Sequence, residues 1–308
     1  MAIFRFILPC LMLACAAERG PGELFGPAVE QTLVIDAILL VGHPLPDLFV
    51  RRTLAPQQPY TLEQIGVRDA EVLLKQGDQK FLYSADPDSA GRYLPPANTS
   101  LVAPQTTYTL EVRTVAKVVR ATTTTPDRLK LQQAVLLDDA TLEDKRLLHL
   151  FHQSDTSPYD APENQLNYRE GILELRLEPI DVVAFQLALF NLEIDSPSLI
   201  DEDFLEEDDI QDFERQGNSP PLEAVDNRVR LPWFAVAFAG RHLFKVYALD
   251  QNWYDYTRTN NEDGGFFGGL IGDNFERPIF NIEGGIGLFG SAAVDSIGFF
   301  VQPRATED

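Results

Sequence analysis

The chain has 308 residues, a formal net charge of −22 and an apolar content of 44%. That length and composition support a sizeable core, most comfortably as two domains, while the charge excludes nucleic acid, whose phosphates need a cationic face. Its two cysteines, Cys10 and Cys15, both lie near the N-terminus, so the remaining body has no disulfide, thiolate metal site or thiol nucleophile.

The N-terminus opens with Arg5 in a short apolar stretch that ends at Leu11-Met12-Leu13-Ala14-Cys15. About ten apolar residues are too few to cross a hydrocarbon core of roughly 30 Å as a helix. A basic residue, a short apolar run and small residues are instead what export machinery reads. The layout resembles a bacterial lipoprotein signal cut before Cys15. Residues 1–14 are then the signal, Cys15 carries lipid, and residues 15–30 are a tether. Met12 stands where such signals usually have leucine, and Pro9 and Cys10 interrupt the run. The alternative is cleavage at Ala14-Cys15-Ala16, which releases a soluble periplasmic protein. Ala16 is not the aspartate of an inner-membrane retention signal, so the expected site is the outer membrane, on either of its faces. Arg5 leaves with the signal, and so acidic a body is held by lipid, not by charge.

Strand chemistry dominates the body of the chain. Residues 32–41 (TLVIDAILLV) are β-branched and apolar and end at Gly42; residues 47–53 come next. Residues 68–76 (RDAEVLLKQ) and 79–84 (QKFLYS) read as a hairpin around Gly77-Asp78. After Gly91-Arg92-Tyr93, residues 108–115 (YTLEVRTV) alternate, with Tyr108, Leu110, Val112 and Thr114 on one face. One buried and one wet face marks an antiparallel sheet. Residues 118–125 add a strand and Pro126 ends the unit, so residues 31–126 are expected to form a β-sandwich.

Residues 127–308 are expected to form a second, β-rich domain with at most one or two short helices. Strands are read at 129–137, 172–177, 182–192, 233–239 and 242–249, with Gly240-Arg241 joining the last two. Residues 141–152 (TLEDKRLLHLFH) carry the best helical pattern, with Thr141 as N-cap and Glu143 and Asp144 in the first turn. Residues 201–214 (DEDFLEEDDIQDFE) are nearly all carboxylate. Calcium favours such oxygen clusters, but the EF-hand pattern with its central glycine is missing, and a solvated acidic loop is the preferred reading. A salt-adapted organism would give the same composition.

The chemical motifs are weak. Gly285, Gly287 and Gly290 fit G-x-G-x-x-G, yet too few residues remain for the helix, second strand and ribose-binding acid of a dinucleotide site. Glycines that bend the chain between antiparallel strands account for them. His149 and His152 sit at i, i+3 near Asp155, but zinc needs a third ligand and an open position, and interleaved leucines favour a helix packed on the sheet. No G-x-S-x-G or H-E-x-x-H is present, and carboxylates are too abundant to nominate an acid–base pair. The reading is therefore a non-enzyme with no cofactor, no metal and no catalytic residues. Trp253, Tyr254 and Tyr256, followed by polar residues, offer rings for stacking on a sugar or another apolar face; a strand end that caps the core is the other reading. Residues 264–271 (GGFFGGLI) place Phe266 and Phe267 on a flexible backbone, suited to a protein partner if exposed.

These features together resemble domain of unknown function family 4249, a group of Bacteroidota-type outer-membrane lipoproteins. The resemblance rests on the Cys15 signal, residues 29–36 (VEQTLVID), Gly91-Arg92-Tyr93, Trp253-Tyr254-Asp255-Tyr256 and residues 275–290 (FERPIFNIEGGIGLFG), most specifically 281–290. It implies an immunoglobulin- or transthyretin-like N-terminal sandwich and a β-rich C-terminal domain. It also implies association with a TonB-dependent transporter and carries over no catalytic residue. The acidic insert 201–214 departs from the family pattern. The expectation is an accessory or binding partner of such a transporter. The alternative is a stand-alone glycan- or nutrient-binding lipoprotein built on Trp253. Oligomeric state is not readable from the chain.

Overall fold

The computed structural model describes residues 31–55, 58, 60–152, 157–200, 215–224, 226–259 and 278–304. Cys15, Asp155, the acidic run 201–214, Phe266 and Phe267 lie outside the described residues. The fold is all-β, a pair of β-sandwiches.

The first unit contains β1 (Leu33–Leu40), β2 (Leu48–Arg52), a short helix α1 (Leu62–Ile65), β3 (Glu71–Gln76), β4 (Gln79–Ala85), β5 (Arg92–Leu94), β6 (Thr107–Arg113) and β7 (Val118–Thr124). Gln76 pairs with Gln79 across a two-residue turn in which Gly77 takes φ 55°, so the expected hairpin is present. Tyr108, Leu110 and Val112 on β6 are all buried, while Thr109 and Thr122 face each other on the wet side. The Gly91-Arg92-Tyr93 turn has a packing reason. Gly91 has φ 79°, and a Cβ there would lie 2.6 Å from the Val50 carbonyl oxygen. That close approach lets the Tyr93 hydroxyl accept from the Ala70 N–H at 2.9 Å and donate to the Val67 carbonyl at 3.0 Å.

The second unit contains β8 (Leu131–Leu137), β9 (Asp144–Leu148), β10 (Gln165–Leu166), β11 (Ile172–Leu177), β12 (Ala184–Asn191), β13 (Gln216–Asn218), β14 (Leu222–Glu223), β15 (Arg228–Leu231), β16 (Gly240–Leu249), a helix α2 (Gln251–Thr259) and β18 (Ile286–Val301), while β17 (Ile282–Glu283), late in the chain, returns to pair with β7 of the first unit and buries Ile282 in its core. A four-stranded sheet in the order β15-β11-β8-β9 packs on β12, β16 and the second half of β18. Leu136, Leu173 and Leu175 from one sheet meet Phe185, Phe244 and Phe299 from the other in one core.

Two expectations fail here. Residues 141–152 form no helix. The Asp138 carboxylate accepts from the N–H groups of Ala140 at 3.0 Å and Thr141 at 2.9 Å, and Leu142 turns to φ 61°. This side-chain turn outcompetes the Thr141 cap and closes the β8–β9 hairpin. His149 and His152 therefore share no helical face; His149 Nε2 instead lies 3.3 Å from Glu163. Residues 233–239 also are not a strand, because Pro232 is followed by a single 3₁₀ turn, Trp233–Ala235.

One strand joins the two units. The first half of β18 runs parallel to β1, from Val34↔Ile286 to Leu40↔Ala292. Its second half runs antiparallel to β16, from Leu249↔Ala292 to Gly240↔Val301. Ala292 is thus flanked by Leu40 on one side and Leu249 on the other. Parallel pairing needs a long crossover, and nearly the whole chain lies between β1 and β18. The G-x-G-x-x-G stretch opens this strand, not a helix. Gly287 takes φ 109°, with space for no Cβ beside the Ile35 carbonyl oxygen. The glycines were expected to bend the chain between antiparallel strands; the partner here is parallel.

Candidate functional site

Strand β14 lies on the edge of the large sheet and β15 is the edge of the small one. Between these two edges opens a groove of about 420 Å³, in the size range of ligand pockets, roughly 300–1,000 Å³. Alternation along β12 and β15 turns Leu187 and Leu231 inward, and both form its buried floor. Its walls are Leu222, 39% exposed, and Phe234, 50% exposed, with Trp233 between floor and rim. Pro220 and Pro232 also line it, and neither has an N–H to offer.

The groove is held in shape by its surroundings. The Trp233 indole N–H donates to the Gly171 carbonyl, and its ring meets Tyr168 edge-on at 5.8 Å and 82°. The Ser219 hydroxyl accepts from the Leu187 N–H at 2.9 Å and donates to the Pro220 carbonyl at 2.7 Å, so it is used internally. Arg230 is the one charged side chain among the described lining residues. Its Nε donates to Glu174 at 2.9 Å, and Arg176 donates to the same carboxylate at 2.9 Å. Burial alone would raise the Glu174 carboxyl, but the two arginine hydrogen bonds bring it below the usual range, so it stays ionised and fixes Arg230.

The expected aromatic platform has a different form. Trp253, Tyr254 and Tyr256 lie on α2, all half-buried, each engaged separately. Trp253 packs against Tyr247 at 5.7 Å, Arg258 sits over Tyr254 at 5.7 Å, and Tyr256 meets Phe280 at 6.2 Å. Asp250 caps the helix by accepting from the Trp253 N–H at 2.8 Å. Its other oxygen accepts from Thr123 on β7 and from Ser291 on β18, the latter at 3.1 Å. Burial raises the Asp250 carboxyl against the lowering effect of these bonds. Ser291, Thr123 and Asp250 form a hydroxyl–carboxylate cluster, and all three are buried. Their role is to tie the two units together at the joint.

Among the described residues, no group of three or more His, Cys, Asp or Glu side chains could hold a metal ion. No helix among them is long and apolar enough to cross a membrane. Sequence reasoning missed the groove because its residues come from β11, β12, β14 and β15, and it read Trp233 and Phe234 as part of a strand. The available signal was the sequence Pro232-Trp233-Phe234, where a proline stops a strand and two large rings follow.

Among solved structures, the chain is similar to the chicken CNTN1 FN1-FN3 domains, with 9% identity over 88% of this chain and 67% of that one, at a TM-score of 0.23. It is also similar to three N-terminal domains of the bacteriophage RB49 Highly Immunogenic Outer Capsid protein (Hoc), with 9% identity over 90% of this chain and 71% of that one, at a TM-score of 0.20. No curated protein matches the chain. The family model for Domain of unknown function (DUF4249) matches residues 25–297, nearly the whole of the two sandwiches, and the chain belongs to that family.

Proposed function

We propose that this is a lipid-anchored, non-catalytic protein of the outer membrane that binds a ligand on behalf of a TonB-dependent transporter. The observation that carries the binding role is the aromatic-walled groove between β14 and β15, whose apolar walls stand partly open to solvent. Exposed apolar surface in a concave, rigidly supported site is retained where something docks on it. Anchoring rests on the Cys15 signal, and the transporter on the family pattern in residues 281–290.

Affinity purification of the full chain from native envelopes, in mild detergent, tests the transporter role. A large β-barrel transporter should co-purify with the wild type and fall away in Cys15→Ala, which loses the tether. Recovery of the protein alone from intact outer membranes would overturn the transporter role.

A further inference from the structure

We propose that the groove binds a free amphipathic anion, an apolar chain ending in a carboxylate, with the chain on Leu222, Trp233 and Phe234 and the head at Arg230. The inference rests on the groove being the binding site and specifies its ligand class.

The lining decides the body of the ligand. Leu187, Leu231 and the two prolines provide apolar contact, worth roughly 25 cal/mol per Å² of surface taken from water. The Ser219 hydroxyl already both accepts and donates within the protein. A sugar would therefore bury hydroxyls with almost no partners, each at a cost of about 1–3 kcal/mol. An alkyl chain has no such groups to satisfy.

The charge decides the head. Arg230 stands at the groove with its side chain 47% exposed. Only its Nε is committed to Glu174 among the bonds described, and a guanidinium has five N–H donors. Glu174 shares its two oxygens between Arg176 and Arg230, with Arg228 at 3.8 Å, and Arg176 is also paired with Asp144 at 2.5 Å. Among the described residues, three guanidinium groups therefore face two carboxylates. A local positive excess in a chain of net charge −22 selects an anion and repels an amine.

The chain has two tryptophans, so Trp253→Phe leaves Trp233 as a reporter inside the groove. The full chain carrying Trp253→Phe and Cys15→Ser is titrated with dodecanoate, dodecanol and dodecylamine below their aggregation concentrations. Dodecanoate should change Trp233 emission saturably and bind about tenfold more tightly than dodecylamine. Arg230→Gln should remove that preference, Arg230→Lys should retain it, and Leu222→Glu should abolish binding, with near-ultraviolet circular dichroism confirming that each variant is folded. No saturable change, or equal binding of acid and amine, would overturn the proposal. The titration involves neither membrane nor transporter. A flat titration beside intact co-purification removes only the ligand class; tight dodecanoate binding without co-purification removes only the transporter.

Discussion

Asn281 stands in for a missing strand beside Phe289. Its amide donates to the Phe289 carbonyl at 2.7 Å and its carbonyl accepts from the Phe289 N–H at 3.0 Å, as a paired residue in a ladder would. β7 and β18 are not paired as strands, and the Asn252 amide links them by donating to the Thr122 carbonyl at 2.9 Å and the Phe289 carbonyl at 3.3 Å. Two side chains thus satisfy backbone groups that the ladder leaves open.

Removing this mimic should destabilise the joint. Asn281→Ala is expected to cost about 2 kcal/mol, because the Phe289 N–H loses its acceptor while the Phe289 carbonyl keeps only the longer bond from Asn252. Asn281→Asp should cost at least as much at neutral pH, since a carboxylate oxygen then faces the Phe289 carbonyl where an N–H donated. Chemical denaturation of the two variants beside the wild type measures both.

His242 makes stability depend on pH. Its ring is buried, stacks on Phe299 at 5.4 Å and 9°, and sits 2.9 Å from the Gly240 carbonyl through Nδ1. A carbonyl only accepts, so Nδ1 carries the proton and Nε2 is left to accept from Asn191. Burial pushes its pKa down to about 4 despite the bond to Gly240. In the unfolded chain the pKa is about 6.5. Between these values the unfolded state binds the proton and the folded state does not, so stability falls as pH drops through that window. The loss is about 2 kcal/mol from pH 7 to pH 5. His242→Phe should flatten that part of the curve relative to wild type, as read from denaturation midpoints at the two pH values.

The two kinds of positive-φ glycine should respond differently. Gly287→Ala is expected to cost about 3 kcal/mol or more, because the new methyl meets the Ile35 carbonyl and the backbone is held at positive φ. Gly77→Ala, in a turn where a Cβ would meet nothing within 4 Å, carries only the backbone strain, about 1 kcal/mol. Thermal melts of the pair separate packing from conformation.

Much of the first sandwich was legible because its signals are local. Gly77-Asp78 names the hairpin, and Tyr108, Leu110 and Val112 name the inner face of β6. The β8–β9 hairpin was not, since the deciding group, Asp138, lies outside the window whose periodicity suggested a helix. Nor was the double use of β18: the glycines that open its 16 residues read as a bend between antiparallel strands until β1 and β16 are seen on either side. The groove is least local of all, assembled from Ile172, Leu222, Arg230 and Trp233 at two sheet edges. The aromatics of 253–256 stood out in sequence, but helical spacing sends each ring to a different neighbour.

Anchoring through Cys15 underlies the proposed role most directly. Metabolic labelling with a clickable fatty-acyl probe, followed by capture of the protein, reports it in one gel lane. The account predicts a labelled wild type and an unlabelled Cys15→Ala variant; a wild type as dark as that variant would contradict it.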